Sequence, residues 1–226
     1  MSGRLKLGKR LGQIEQWVQS HVDHIWDCCC DHGHLGAAIL KRYPQSSVHF
    51  VDIVPSLMSQ VESKLKRFHP NGRWQTHCLD VAQLPLNQYA GRHLVIIAGV
   101  GGDLMAHFVS TIVQENPHLT LDFLLCPVHH QYALRQQLIA LELNLLDEVL
   151  VEENQRFYEI LHLTTARHQG QALSITGERL WHADNAEAMQ RAKRYLQKTL
   201  AHYQRIAKGN QPDALQMLAA YQAIQI

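Results

Sequence analysis

Leu94-Val95-Ile96-Ile97-Ala98-Gly99-Val100-Gly101-Gly102 is the stretch that decides the fold. Its first five residues carry no polar break and read as a strand covered on both faces, the kind found inside a parallel sheet. The glycines behind them open a helix of about a dozen residues. The same unit recurs on either side. Upstream, strands are predicted at about His24–Cys29, at Ser47–Val51 ending on Asp52, and at Trp74–Cys78 closed by Asp80. Helices fall between them over His34–Tyr43 and from Pro55 to about Phe68, where proline suits the first turn. An amphipathic helix over residues 1–20 precedes all of these, with Leu7, Leu11, Ile14, Trp17 and Val18 on one face. Downstream, Asp122–Leu125 is a fifth strand capped by Cys126-Pro127, followed by a helix over Tyr132–Leu143. Leu145–Val151 and Phe157–Thr164 then form a hairpin joined by an acidic turn. Such alternation of strand and helix indicates an α/β sheet with helices on both faces.

Composition shifts over residues 167–178, where His168-Gln169-Gly170-Gln171 and Ser174–Gly177 are linker-like. Beyond them Met189, Ala192, Leu196, Thr199, Tyr203 and Ile206 recur at three- and four-residue steps, and Gly209-Asn210-Gln211-Pro212 ends that helix. Leu215, Leu218 and Ala219 begin another. The expected division is a main domain over residues 1–166 and a C-terminal helical hairpin over 167–226 with a coiled-coil-like seam. The hairpin is too thin to fold alone and must lean on the main domain or on a partner.

The 226 residues, 46% hydrophobic and 18% charged, suit one globular domain with an appendage and argue against disorder. No apolar run approaches the ~18 residues of a membrane helix, and the basic start MSGRLKLGKR has no apolar stretch behind it. A soluble, cytoplasmic protein is expected. Lys and Arg number 21 against 20 Asp and Glu, so a basic field over the whole chain is excluded and nucleic acid would have to meet local patches. Arg4, Lys6, Lys9 and Arg10 form one patch, and residues 184–226 carry six cations against three acids. Five cysteines, three of them consecutive at Cys28-Cys29-Cys30, suit reduced thiols better than disulfides.

Open α/β sheets bind ligands at the carboxyl ends of their strands. Asp27 or Asp31, Asp52 and Asp80 fall at three such ends. A carboxylate ending the second strand suits a ribose diol, and Asp52 stands 25 residues after Asp27, near the spacing of about 20 for a first βα unit. A group after the third strand suits an adenine amine. Aspartates at strand ends also cap helices, and Asp31 is an alternative N-cap for the helix near His34. Neither GxGxxG nor GxxxxGK[ST] is present, and Asp31 would repel a pyrophosphate, so a sulfonium cofactor fits better than a nicotinamide. No metal is expected, because adjacent residues such as Cys28-Cys29-Cys30 or His129-His130 point to opposite sides of a strand.

Four motifs stand in order along residues 4–165: Leu5-Lys6-Leu7-Gly8-Lys9-Arg10-Leu11, Asp27-x-x-x-Asp31-His32-x-x-Leu35, Ile97-Ala98-Gly99-Val100-Gly101-Gly102, and Glu152-Glu153-x-x-x-Phe157-Tyr158-Glu159. With them the chain resembles the bacterial tRNA (adenine(22)-N(1))-methyltransferases. The resemblance implies a Rossmann-like class I methyltransferase sheet, S-adenosyl-L-methionine as cofactor, and transfer to N1 of an adenine in tRNA. It implies a tRNA partner, no DNA, no membrane, and a monomer or weak homodimer. Cofactor contacts are expected at Asp27, Cys29, His32, Gly33, Asp52, Ile53, Asp80, Val81, Ala98 and Gly99. Asp31 is the candidate to stabilise the cationic product or take a proton from the exocyclic amine, with Ala98-Gly99 as the floor for the base. Lys6, Lys9, Arg10, Arg191, Arg194 and Lys198 are the expected RNA contacts, the alternative being a solvated face. The chain departs from the family at Cys29, where the family has glycine, and at Cys126-Pro127-Val128, where it has QPN. A homologue that has lost turnover and binds RNA or a protein is therefore the alternative reading.

Overall fold

Strand β1 (His24–Cys28) lies at the middle of the sheet, flanked on one side by β2 (Ser47–Asp52) and β3 (Trp74–Cys78) and on the other by β4 (His93–Ala98) and β5 (Leu121–Cys126). All five run parallel. The computed structural model describes residues 7–182, 185–209 and 212–226, so Lys6, with Arg4, Leu5, Asp184, Asn210 and Gln211, lies outside the described residues. Beyond β5 the sheet continues antiparallel through β7 (Arg156–Thr164), β6 (Asn144–Glu153) and a short β8 (Gln171–Ala172). Asn154 and Gln155, both left-handed, make the tight turn of the β6–β7 hairpin, the backbone sense that matches strand twist.

The alternation along each strand sorts side chains to two faces. Ile25, Phe50, Ile96, Leu124 and Ile160 face a layer of α1 (Lys9–Trp17), α2 (His34–Arg42) and α3 (Pro55–Phe68), which contribute Ile14, Ile39 and Val61. Trp26, Val51, Ile97, Phe123 and Leu161 face α4 (Gly102–Glu115) and α5 (Gln131–Ala140), which contribute Met105, Val109 and Leu134. Each fully buried side chain of this size stabilises the fold by about 1.5–3 kcal/mol. The sheet with helices on both faces agrees with the sequence reading.

Three departures from the sequence reading matter most. Helix α1 spans Lys9–Trp17 rather than reaching residue 20, because Val18 turns to extended backbone. Helix α5 stops at Ala140, three residues short, where Glu142 takes a left-handed conformation. Residues 171–172, read as linker, pair with β6 at Asn144 and Leu145, a docking that local composition does not encode.

The tail comprises α6 (Ala186–Ala207), whose first turn is capped by the Asn185 side chain at 2.8 Å, and α7 (Pro212–Gln222). Its seam is aromatic: Trp181 stacks on Tyr195 at 5.6 Å and Tyr203 on Tyr221 at 5.4 Å. These rings pack on Tyr132 of α5 and Leu150 of β6, so the tail leans on the main sheet. Beneath them Arg135 is wholly buried, donating from Nε to Glu159 at 2.8 Å, from Nη2 to Glu148 at 2.6 Å and from Nη1 to the Ser174 carbonyl at 3.0 Å. The Tyr195 hydroxyl donates to the same Glu159 at 2.6 Å, joining α6 to β7.

A histidine ladder crosses the first three strands. His24 Nδ1 lies 3.0 Å from His49 Nε2, and His49 Nδ1 lies 2.9 Å from His77 Nε2. Trp26 stacks on His49 at 3.9 Å. Burial, reinforced by the neighbouring imidazoles, pushes the His49 pKa down to about 3.

Candidate active site

Strand order reverses between β1 and β4, so the loops leaving their carboxyl ends diverge and open a crevice. The first wall is the loop after β1. Cys29 (φ 54°), Asp31 (φ 49°) and Gly33 (φ 70°) are all left-handed, and Gly33, not Asp31, is the N-cap of α2. The Asp31 side chain is instead 69% exposed, with His32 Nε2 3.8 Å from it. Asp27 lies under the loop and accepts from the Gly36 N–H at 2.8 Å. Gly36 is required there because a Cβ would collide with the Phe50 ring and stand 2.8 Å from the Asp27 carboxylate. Burial pushes the Asp27 carboxyl up to about 7; the Gly36 N–H opposes the shift and the charge of Asp52 adds to it.

Asp52 ties this wall to the next. One carboxylate oxygen accepts from the Asp31 N–H and the other from the Val54 N–H, each at 3.1 Å, and each keeps a second lone pair. Beside it Ile53 is 66% exposed, a bare apolar surface at the rim. Asp80 accepts from the Ala82 N–H at 2.9 Å and caps a short helical turn, Val81–Gln83. Val81 itself is buried in the core, so only its backbone is offered to the site. Cys29 is where the acids converge: burial first, then the charges of Asp52, Asp27 and Asp80, push its thiol up to about 12. The structure thus brings Asp27, Cys29, Asp52 and Asp80 together.

The opposite wall follows β4. Gly99 has φ 91° and donates its N–H to the Cys126 carbonyl at 3.2 Å. A Cβ at Gly99 would meet only Arg10 Nη1, at 3.9 Å, so open space lies above this residue. Gly102 donates to the His129 carbonyl at 2.9 Å, and a Cβ there would collide with the His130 backbone. His130, left-handed at φ 60°, is hydrogen-bonded to Asp103. This pair at the rim was not singled out by sequence, whose only cue was a glycine pair that permits close backbone approach.

The N-terminal and hairpin motifs, far apart in sequence, meet here. Glu153 accepts from the Lys9 N–H at 2.5 Å, and the Arg10 guanidinium lies over the Tyr158 ring at 5.1 Å. Arg10 is therefore turned inward rather than set with Lys9 on the exposed face. Lys9 shares a groove with Arg191 and Glu152. Arg194 pairs with Glu152, Arg191 lies 3.8 Å from Glu187, and the Lys198 ammonium stands 5.7 Å over Phe157.

A cavity of about 750 Å3 opens at the other end of the sheet, among Trp17, Arg92, Asp122, Asp147 and His162. The converging carboxylates and left-handed loops are at the carboxyl ends, and the candidate site is assigned there on that chemistry. Among the described residues no cluster of three or more His, Cys, Asp or Glu side chains could hold a metal ion, and no helix is long and apolar enough to cross a membrane.

A family model described as a methyltransferase domain matches residues 7–161. No curated protein matches the chain. Among solved structures, an uncharacterized protein from Listeria monocytogenes is 18% identical with a TM-score of 0.78, over 96% of this chain and 98% of that one. The M1A22 tRNA methyltransferase TrmK of B. subtilis is 19% identical with a TM-score of 0.67, over 97% of this chain and 95% of that one. A putative tRNA (m1A22) methyltransferase of Streptococcus pneumoniae, in complex with S-adenosyl-L-methionine, is 19% identical with a TM-score of 0.74, over 96% and 98%. At these identities the likeness establishes the fold.

Proposed function

The chain belongs to the methyltransferase-domain family, and on that premise we propose that it transfers a methyl group from S-adenosyl-L-methionine to N1 of an adenine in tRNA. The observation that carries the reading is the placing of Asp27, Asp52 and Asp80 at or just past the carboxyl ends of the neighbouring strands β1, β2 and β3, opposite the open floor at Gly99. An acidic half-site suits a ligand carrying a sulfonium and an ammonium, and rejects a pyrophosphate. Of the solved proteins that share this fold, the B. subtilis TrmK is an M1A22 tRNA methyltransferase, and the putative tRNA (m1A22) methyltransferase of Streptococcus pneumoniae is in complex with this donor.

Asp52 would hold the ribose hydroxyls with its two open lone pairs, and Ile53 would cover one face of the adenine. Asp80, which accepts from the Ala82 N–H, orders the turn whose backbone at Val81 would face the adenine edge. Asp27 would receive the ammonium end, with Cys29, His32 and Gly33 forming the wall between. S-adenosyl-L-methionine supplies an electrophilic methyl, which the lone pair of adenine N1 takes as the carbon–sulfur bond breaks and its electrons return to sulfur. The ring leaves that step cationic, and no proton need move. Exposed Asp31 would stabilise this charge, while Ala98 and Gly99 orient the ring. Positioning of this kind supplies most of the rate. Lys9, Arg191, Arg194 and Lys198 would hold the tRNA backbone where α1, the β6–β7 hairpin and α6 meet. Residues 1–166 would then carry the chemistry and 167–226 the substrate arm, in the reducing cytoplasm that five free thiols suit.

The left-handed Cys29, a side chain at a backbone conformation that favours glycine, favours a second reading: a module that binds RNA or a protein without turnover. Calorimetric titration with the donor, followed by methylation of tRNA and mapping of 1-methyladenosine by mass spectrometry, separates the two. Donor binding with product at an adenine supports transfer. Binding of tRNA with no donor binding at millimolar concentration leaves the second reading.

A further inference from the structure

We infer that Arg10 is a positioning residue for the target base, donating from Nη1 to a ring nitrogen of the flipped adenine; the inference rests on the proposed methyl transfer. Arg10 sits in the first turn of α1, and that turn cannot drift. Glu153 holds its opening N–H at 2.5 Å, and Ile14, one turn on, is fully buried against the sheet. The guanidinium is laid over the Tyr158 ring at 5.1 Å, which fixes its plane. Nη1 is nevertheless buried and has no hydrogen-bond partner among the described residues. A buried donor left open costs stability, so an orphan of this kind calls for an explanation.

The direction of the orphan supplies one. A methyl built on Gly99 would come within 3.9 Å of Nη1 and of nothing else, so Nη1, itself out of solvent, is the polar atom nearest the open space over exposed Gly99. Neutral adenine offers three ring acceptors, N1, N3 and N7, and a donor at its amine. N1 must face the methyl, so N3 or N7 is left for Arg10, and the amine would be repelled by it. A phosphate oxygen is also an acceptor, but the guanidinium is bordered by the Tyr158 ring, by Gly99 and by the buried thiol of Cys126, a weak acceptor within its hydrogen-bond reach, surroundings that suit a flat neutral ring. Sequence alone places Arg10 with Lys9 as a surface contact; only the docking of α1 on the hairpin turns it inward.

Steady-state methylation of a tRNA transcript by the full chain, with Arg10→Lys and Arg10→Met, tests this. The readouts are kcat, the KM for tRNA at several salt concentrations, the donor Kd and the melting temperature. Both variants should lose about 100-fold in kcat, because lysine keeps the charge but not the planar fork. The donor Kd should stay within about two-fold, and the salt slope of KM should be unchanged. A normal kcat in Arg10→Lys, or a raised KM with a salt slope shallower by about one, would make Arg10 a phosphate contact and overturn the assignment. A lowered melting temperature with normal kcat would reduce it to a brace between α1 and the hairpin. A wild-type chain that binds donor yet methylates no tRNA would overturn the proposed function, and this inference with it.

Discussion

Arg135 and Arg10 are two guanidiniums drawn out of solvent in different regions of the molecule, and they end differently. Arg135, under the tail, spends its donors on Glu148, Glu159 and the Ser174 carbonyl, and Tyr195 completes the Glu159 carboxylate. Arg10, at the carboxyl ends of the strands, is braced by an aromatic ring and left with an open buried N–H. A saturated network has no capacity for a ligand; its free energy goes into holding α6 and the last strands in one arrangement. An unsaturated one is tolerated where something else is to bind. The same contrast separates the histidine ladder, whose nitrogens satisfy one another, from Asp52, whose oxygens keep lone pairs free.

The largest effect should come from breaking the saturated side. Arg135→Met leaves Glu148 and Glu159 buried without their cation and should cost about 3–5 kcal/mol in urea denaturation at pH 7. A cost below about 1 kcal/mol would mean that the aromatic seam alone holds the tail. On the open side, Asp52→Ala should weaken donor binding by roughly ten- to hundred-fold, the worth of one or two charge-assisted hydrogen bonds. Calorimetry reads this, and unchanged affinity would move the cofactor elsewhere.

Acid offers a graded test of the ladder. Because the folded pKa of His49 is lowered to about 3, the unfolded chain takes up a proton the folded one refuses. Stability from this group is present above pH 6.5 and is lost as pH falls from there toward 3, at up to about 1.4 kcal/mol per pH unit. His49→Phe should flatten that limb in denaturation series at pH 4–7; an equally steep limb would place the acid sensitivity elsewhere. The smallest effect belongs to Cys29→Gly. Relieving a left-handed non-glycine residue should stabilise the fold by about 1 kcal/mol and tighten donor binding a few-fold. Weaker binding would show that the thiol itself contributes to the wall.

What could be read along the chain and what could not divides on physical lines. The strands at Ser47–Asp52 and His93–Ala98 were legible because buried strands need apolar residues and turns need their own residues. Asp27, Asp52 and Asp80 were legible as site candidates because a strand's end is a local property. The pairing of Gln171 and Ala172 with β6 was not legible, since a run of two residues is too short to show a period. Nor was the Asp103–His130 pair, built where the first turn of α4 meets the residue capping α5, two positions 27 residues apart.

By itself the sequence determined the layered α/β fold, the strand ends that carry the acids and the glycines that clear a floor, because hydrophobic period and backbone freedom act within a few residues. Only the tertiary structure decided which buried charges are paired and which stay open. Pairing depends on side chains brought together over long separations, such as Arg135 with Glu159 and Arg10 with Tyr158, and on the desolvation that burial imposes on them.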